Sequence, residues 1–250
     1  MIRVEPDRWL SDVLETPSWK VAGIAASTPV SELRAQLEQH GKSAAFFTAK
    51  ILTTETQAVA NAARVGFRVV DVNMTFDWAP SAETPGAGRA AAATFGTAGG
   101  DDAVAIENLA AGCFRYTRFH LDDAIGLDRA NEIKRQWARN ACRGRAATVY
   151  VARLAGSVVG FLAVLESRSL NGSDAIIDLV GVDAAHQGQG IGRGLSHMFV
   201  ENWRGRADRL RVGTQVSNVP AMRLYEKMGF RIAESAYVLH AHVKDGAIVK

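Results

Sequence analysis

The chain has 250 residues, which is enough for one large domain or two small ones. Apolar residues make up 48% and charged residues 22%, a balance typical of a soluble globular protein and not of a disordered or membrane protein. The net charge of +3 is too small to indicate a nucleic-acid partner, although 22 of the 29 basic residues are arginine. That excess has two explanations: genomic base composition, or guanidinium groups that bind phosphate or carboxylate.

The chain also lacks the marks of a secreted, membrane-bound or metal-binding protein. Residues 1–8 carry charges where a signal peptide needs an apolar stretch, and the longest apolar run, residues 158–165, is far shorter than the roughly 20 residues of a membrane span. Cys113 and Cys142 form no Cys-x-x-Cys pair, and the six histidines show no metal-ligand spacing. We therefore expect a cytoplasmic protein with reduced thiols and no metal.

The first 79 residues are predicted to form a small N-terminal domain of helices and strands. Residues 62–71 resemble residues 224–233, and both predict a helix, a Gly-Phe turn and a strand. Gly66 and Gly229 can each take the left-handed backbone conformation that ends a helix. The similarity predicts an internal half-repeat, and a chance match between two helix–strand junctions is the alternative.

The N-terminal copy of this repeat is predicted to be non-catalytic, because Ala62 stands where the C-terminal copy has Tyr225 and no similar glycine-rich loop accompanies it. Residues 80–100 contain two prolines and five glycines, which predicts a linker. The remaining residues, 101–250, are then long enough to form one catalytic domain.

The C-terminal part alternates between helical and strand patterns. An amphipathic helix is predicted within residues 124–141, with apolar positions at Ile125, Leu127, Ile133 and Trp137. A hairpin and then alternating strands and helices follow, which predicts a mixed α/β sheet. The predicted strands are residues 148–154, 158–166, 175–182, 210–216 and 231–240, and the predicted helices end near residue 203 and span residues 219–228.

The strongest chemical signal is a glycine-rich loop between a strand and a helix. It contains Gln187, Gly188, Gln189, Gly190, Gly192 and Arg193. Glycines let backbone amides approach an anion, and the start of a helix attracts a pyrophosphate through its unpaired amides. A P-loop is excluded because no Gly-Lys-Ser/Thr is present, and the third glycine comes one residue too early for a Gly-x-Gly-x-x-Gly motif.

The spacing Gln187-x-x-Gly190-x-Gly192 resembles the acetyl-CoA signature of the GNAT N-acetyltransferase superfamily. A second motif follows at the distance expected in that family: Asn218-x-x-Ala221-x-x-x-Tyr225-x-x-x-Gly229-Phe230. Asn218 and Tyr225 are two helical turns apart and share a helix face. The resemblance implies a GNAT fold of the mixed α/β class with a central mixed sheet, here preceded by a truncated GNAT-like domain.

The resemblance also implies acetyl-CoA as co-substrate, held by the glycine loop, by backbone groups at Val180 and Val182, and by Asn218 and Tyr225. Tyr225 and Asn218 are the predicted catalytic residues. A phenol is protonated at neutral pH, so Tyr225 can donate a proton to the departing thiolate. The general base stays open among Asp178, His120, Asp122 and Asp123.

The acceptor is predicted from a finer resemblance to dTDP-fucosamine acetyltransferases, carried by residues 114–120, 210–218 and 234–239. It implies acetylation of a nucleotide-linked 4-amino-4,6-dideoxyhexose for cell-surface polysaccharide biosynthesis. Arginine forks suit a diphosphate and aromatic faces suit a base or sugar. The predicted acceptor-binding residues are Arg115, Tyr116, Arg118, Phe119, Thr214 and Gln215.

Two other functions remain open. A GNAT enzyme acting on a protein N-terminus, a polyamine or another small amine would keep the donor loop and Tyr225. A non-catalytic acetyl-CoA sensor would keep only the donor loop. The resemblance implies a homodimer, and neither a nucleic acid nor a membrane is an expected partner.

Overall fold

The computed structural model of the protein describes residues 1–79, 93–169 and 172–249. Residues 80–92 of the predicted linker lie outside these ranges. Residues Thr94–Thr97, near its other end, form a strand that pairs with the strand Thr148–Leu154, so this part of the predicted linker is instead an edge of the sheet. Among the described residues, no helix is long and apolar enough to cross a membrane.

The strands and helices alternate along most of the chain. The strands are β1 (Arg3–Pro6), β2 (Ser18–Ala22), β3 (Ala45–Leu52), β4 (Arg68–Trp78), β5 (Thr94–Thr97), β6 (Thr148–Leu154), β7 (Ser157–Ser169), β8 (Gly172–Val182), β9 (Arg209–Gln215), β10 (Phe230–Lys244) and β11 (Ala247–Val249). The α-helices are α1 (Arg8–Leu14), α2 (Val30–His40), α3 (Thr56–Arg64), α4 (Ala103–Cys113), α5 (Leu127–Asn140), α6 (Ile191–Trp203) and α7 (Val219–Lys227).

The predicted C-terminal elements are confirmed, with differences at their ends. The β6–β7 hairpin turns at Ala155 and Gly156, both with positive φ. The amphipathic helix begins at Leu127 and not at residue 124, and Leu127 itself is exposed because it occupies the first turn. Helix α4 has no counterpart among the predicted elements.

One mixed sheet joins all the described strands. Its order is β1-β2-β3-β10-β4-β9-β8-β7-β6-β5, and β11 pairs with β10. Two parallel pairs, β2–β3 and β8–β9, lie on opposite sides of the central strands β10 and β4. The predicted mixed sheet is therefore confirmed, and it runs without a break from the N-terminal to the C-terminal part of the chain.

Two segments share the same order of elements. We call β2, α2, β3, α3 and β4 the N-terminal unit, and β8, α6, β9, α7 and β10 the C-terminal unit. In both units the second helix ends at a glycine with positive φ, Gly66 at 97° and Gly229 at 88°, before the last strand. The sequence predicts a repeat at these same positions.

The last strands of the two units are exchanged. β4 lies between β10 and β9, and β10 lies between β4 and β3, so each unit's last strand pairs with the other unit's parallel pair. Phe76 of β4 is buried in the apolar core around α6 and α7, while Leu239 of β10 is buried in the core around α2 and α3. Each unit therefore completes the core of the other.

Candidate active site

The two parallel strands of the C-terminal unit separate at one end. The backbones of β8 and β9 pair from Asp174 and Arg209 as far as Ile177 and Val212, and beyond that point the two strands continue without pairing with each other. A strand edge that has no neighbouring strand offers its N–H and C=O groups to an extended ligand. The predicted pantetheine-contacting residues Val180 and Val182 pair with β7 on one side, have no partner in β9 on the other, and line the cleft.

A β-bulge marks the place where β8 diverges. Ala163 of β7 pairs with Leu179 and the next residue, Val164, pairs with Ile177, so Asp178 has no opposite residue. A bulge bends its strand and increases the local twist, which turns the end of β8 away from β9. The side chain of Asp178 is fixed by Trp137, whose Nε1 donates to Oδ2 at 2.8 Å, and by Arg145.

The glycine loop closes one end of the cleft. Gly188 and Gly190 have φ of 75° and 84°, a conformation that a side chain would strain. Gly190 caps α6, and no side-chain oxygen accepts from the first-turn amides. Those amides are therefore available to an anion, as the sequence predicts for a pyrophosphate.

Asn218 and Tyr225 lie at the two ends of α7 on the wall of the same cleft. Oδ1 of Asn218 accepts a hydrogen bond from the Ala221 amide at 3.3 Å, so this side chain caps the helix. The Tyr225 ring packs against Phe76 and Phe230, each with ring centroids 5.9 Å from it. Burial raises the pKa of the Tyr225 hydroxyl, which keeps the phenol protonated at neutral pH.

These elements enclose a cavity of about 730 Å³. Its walls come from the end of α4 and the loop after it, from residues 177–182 of β8 and 212–215 of β9, and from the glycine loop and α7. That volume lies within the usual range for a small-molecule site. The predicted residues that line it are Arg115, Tyr116, Val180, Val182, Gln187, Gly188, Gly190, Gly192, Arg193, Thr214, Gln215, Asn218 and Tyr225.

Three predicted site residues do not line the cavity. Gln189 is exposed, and its Nε2 donates to the Ala185 carbonyl at 3.2 Å. Arg118 points toward the N-terminal unit, where it donates to Thr48 Oγ1 at 2.7 Å. Phe119 is only 1% exposed and packs in an apolar core with Leu10, because its side chain turns inward from the loop. Arg118 and Phe119 therefore lie outside the cavity, contrary to the prediction that they bind the acceptor.

Of the four candidate bases, Asp178 alone lines the cavity. Asp123 is exposed at the surface. His120 is held by Thr117 Oγ1 at 2.6 Å and Asn131 Oδ1 at 3.0 Å. The structure thus separates these two side chains and Asp122 from the predicted site.

Asp122 instead joins two histidines that the sequence places far from it. Its Oδ2 lies 2.6 Å from Nδ1 of His240 and 2.8 Å from Nε2 of His242, and the three donor atoms lie within 4.8 Å of one another, near enough to hold a metal ion. Burial lowers the pKa of His240, and its buried Nε2 has no partner among the described residues. Both observations fit a neutral His240 ring whose Nδ1–H donates to Asp122 and whose Nε2 carries no proton. The cluster fastens the loop before α5 to β10.

Lys134 of α5 also lines the cavity, a role that the sequence interpretation missed. It lies on the buried stripe of the helix with Ala130, Ile133 and Ala138. Helical spacing would have placed it there, but a lysine next to an apolar residue is ordinarily assigned to the solvent face.

Comparison with known proteins finds similar sequences. Residues 104–230 match the Acetyltransferase (GNAT) family. SpsD, a spore coat polysaccharide biosynthesis protein from Bacillus subtilis, is 39% identical over 140 residues, which cover 56% of this chain and 47% of that protein. The dTDP-fucosamine acetyltransferase of Escherichia coli is 30% identical over 144 residues, which cover 56% and 59% of the two chains. The predicted resemblance is confirmed, although the match spans about half the length of these relatives.

Solved structures agree at the level of the fold. A GCN5-related N-acetyltransferase from Sphaerobacter thermophilus superposes with a TM-score of 0.63 over 98% of this chain and 77% of that one, at 14% identity. The likeness therefore extends over the N-terminal unit as well as the C-terminal unit.

Proposed function

Because the chain belongs to the acetyltransferase (GNAT) family, we propose that it transfers the acetyl group of acetyl-CoA to the amino group of a nucleotide-linked amino sugar. The observation that carries this proposal is the cleft between β8 and β9, which has uncapped helix amides at one end and the Tyr225 ring in its wall. The similarity to SpsD and to dTDP-fucosamine acetyltransferase supports a sugar-related acceptor.

Acetyl-CoA fits the residues present at the glycine loop. A Cβ added at Gly188 would meet no heavy atom within 4 Å, so the loop is open to a ligand. The amides at the start of α6 and the side chain of Arg193 would bind the pyrophosphate. The backbone from Val180 to Val182, on the side of β8 that no longer pairs with β9, would bind the pantetheine chain and polarise the thioester carbonyl.

Tyr225 serves as general acid in this proposal. The acceptor nitrogen attacks the thioester carbon, the C–S bond breaks, and the Tyr225 hydroxyl gives its proton to the thiolate. No acyl-enzyme is required. Burial raises the pKa of the Cys113 thiol to about 12, so the thiol that lines this cavity is a poor nucleophile.

The acceptor binds at the other end of the cavity, between the loop after α4 and the end of β9. Arg115 forms no hydrogen bond or ion pair within the described part of the chain, and its guanidinium is therefore available to a diphosphate. Tyr116 offers a partly exposed ring, and Thr214 and Gln215 offer polar groups. We further propose that the enzyme works as a homodimer in the cytoplasm, which light scattering and cell fractionation test.

The test is a thiol-release assay with acetyl-CoA and a panel of acceptors: amino-sugar nucleotides, free amino sugars, polyamines and peptides. The proposal predicts turnover with the amino-sugar nucleotides and a large loss for Arg115→Ala, with Arg168→Ala, an exposed arginine on β7, as the matched control. Turnover only with peptides or polyamines would contradict the proposed acceptor. Binding of acetyl-CoA without turnover on any acceptor would favour a sensor.

A further inference from the structure

Lys134 is a buried lysine that faces the proposed acetyl-transfer site. The residue is 7% exposed and lines the same cavity as Tyr225. Its Nζ lies 4.3 Å from the ring centroid of Trp137 and 5.0 Å from that of Phe114. No hydrogen bond or ion pair reaches this ammonium group from the residues that the structure describes. Buried lysines ordinarily have an acidic partner, so this arrangement calls for a functional reason.

The charges around Lys134 do not neutralise it. Asp178 of β8 attracts the ammonium group, but its Oδ2 already accepts hydrogen bonds from Trp137 and Arg145. The titratable and charged groups that interact electrostatically with Lys134 are Cys113 from α4, Arg118 and His120 from the loop before α5, Arg145 from the turn after α5, and Asp178 from β8. Two of these five are arginines, and Cys113 and His120 are neutral at pH 7 because burial shifts their pKa values toward the uncharged forms.

Lys134 also lies beside the part of β8 that the thioester is proposed to face. Its neighbour Cys113 packs so closely on β8 that a Cβ added at Gly181 would lie 2.6 Å from the cysteine Sγ. Gly181 is the residue between Val180 and Val182, whose backbone faces the cleft. An amine that attacks the thioester must enter this same region of the cavity.

We propose that Lys134, in its neutral form, is the general base that removes a proton from the ammonium group of the acceptor. The proposal rests on the acetyl-transfer function given above. Burial is the largest cause and outweighs the attraction of Asp178; with smaller repulsions from Arg118 and Arg145, it lowers the pKa of Lys134 to about 8. A large fraction of the enzyme then carries a neutral lysine at mildly alkaline pH, and a base is most effective when its pKa is near the working pH.

The protons balance in this scheme. Neutral Lys134 takes one proton from the acceptor's R–NH₃⁺, and the resulting R–NH₂ forms a C–N bond with the acetyl carbon while the C–S bond breaks. Tyr225 gives its proton to the sulfur, and the second proton lost by the nitrogen restores the phenol. The products are the N-acetylated acceptor, free CoA thiol and one proton held on Lys134, which passes to solvent.

An anion-binding role for Lys134 is the alternative, and the site makes it the weaker one. Arg115 already offers an unpaired cation in the same cavity at a more exposed position. An anion bound at Lys134 would raise the lysine pKa and keep the ammonium form, whereas a base must return to the neutral form in each cycle.

The test compares Lys134→Arg and Lys134→Met with Lys42→Arg, an exposed lysine outside the cavity. We measure kcat/KM from pH 6 to 9.5 with any amine that the wild-type enzyme acetylates. Both Lys134 variants should lose about 100-fold at pH 7. For an acceptor whose ammonium group has a pKa of about 8, the loss should shrink below about fivefold at pH 9.5, because that amine is then neutral without help. Lys42→Arg should match wild type, and acetyl-CoA affinity should be unchanged in all three.

Two results would overturn the base role. Near-normal activity of Lys134→Arg with a raised acceptor KM in Lys134→Met would show that only the charge matters, and an equal loss at every pH would show a structural role. A second measurement needs no acceptor: an NMR titration of the lysine side chains in wild-type protein, with Lys134 assigned by its absence in Lys134→Met. A midpoint near 8 is expected, and one near the ordinary value of about 10.4 would overturn the inference. Failure of wild type on every amine would count against the proposed function instead.

Discussion

The N-terminal and C-terminal units share one skeleton but differ at the place where a donor would bind. In the C-terminal unit, β8 leads into a glycine loop, and the side chain of Tyr225 lies on the cleft wall. In the N-terminal unit, β2 leads into a loop that is hydrogen-bonded to α3. Nδ2 of Asn61 in that helix donates to the loop carbonyls of Ala26 and Thr28 at 3.2 and 3.1 Å. Ala62, which is fully buried, occupies the position equivalent to Tyr225.

This difference indicates that the shared order of strands and helices does not by itself form a donor-binding site. The N-terminal unit uses its equivalent helix to close the loop after β2, and it supports the other unit by supplying β4 beside β9 and Phe76 beneath Tyr225. We propose that a few side chains decide which of the two units binds the donor, and substitutions at matched positions in the two units test this proposal.

The largest effect is expected for Tyr225→Phe. The change removes the proton donor and leaves the ring packing intact, so turnover should fall by about 100-fold or more while the acetyl-CoA dissociation constant stays the same. The measurement is thiol release together with calorimetric binding. Tyr237→Phe on β10, outside the cavity, is the matched control. Turnover within a factor of two of wild type would remove the general-acid role.

Gly190→Ala should weaken acetyl-CoA binding by about tenfold or more. Gly190 has a φ of 84°, which an alanine adopts only with strain, and the added methyl stands at the start of α6 where the pyrophosphate would lie. Gly205→Ala carries the same strain, at a φ of 78°, but beyond the other end of α6. Calorimetry should find normal affinity in that control, and equal losses in both variants would mean that strain alone is responsible.

Asn61→Ala should lower the stability of the protein and leave donor binding unchanged. The variant leaves two carbonyls of the β2–α2 loop without their donor, so the free energy of unfolding should fall by about 1–3 kcal/mol while acetyl-CoA affinity is unchanged. Urea denaturation and calorimetry measure the two quantities. Gln57→Ala, which removes a neighbour that donates to Asn61 Oδ1, should cost much less. A change in acetyl-CoA affinity would contradict the claim that the N-terminal unit has no part in donor binding.

The smallest effect concerns Asp71 of β4, where burial raises the pKa to about 6. The unfolded chain has the ordinary, lower pKa, so the folded state holds more protons between about pH 4 and pH 6, and stability falls as the pH rises through that window. Asp71→Asn should therefore be more stable than wild type by about 1 kcal/mol at pH 7 and nearly equal to it at pH 4. Urea denaturation at the two pH values checks this, and a stability difference independent of pH would contradict it.

The elements that rest on local pattern were predictable, and those that rest on long-range pairing were not. The hairpin turn at residues 155–156, the glycine loop and the left-handed glycines follow from local chemistry. The exchange of β4 and β10 depends on which strands meet in space. The bulge at Asp178 and the cluster of Asp122 with His240 and His242 likewise join residues distant in the sequence.

The predicted acceptor-binding residues also show that a local sequence pattern does not determine which side chains meet in space. Arg115 and Phe119 lie in one short segment, yet Arg115 lines the cavity and Phe119 packs in the core, because the loop after α4 turns between them. Lys134 was missed because only the packing of α5 against α4, and of the lysine against the rings of Phe114 and Trp137, shows that its ammonium group is buried.

The central claim is that one unit binds the acetyl donor and the other does not. Isothermal titration calorimetry of the full chain with acetyl-CoA tests it most directly. The account predicts one binding event per chain, which is lost or strongly weakened in Gly190→Ala and is unchanged in Asn61→Ala. Two equivalents per chain, or a single event that survives Gly190→Ala and is lost in Asn61→Ala, would contradict it.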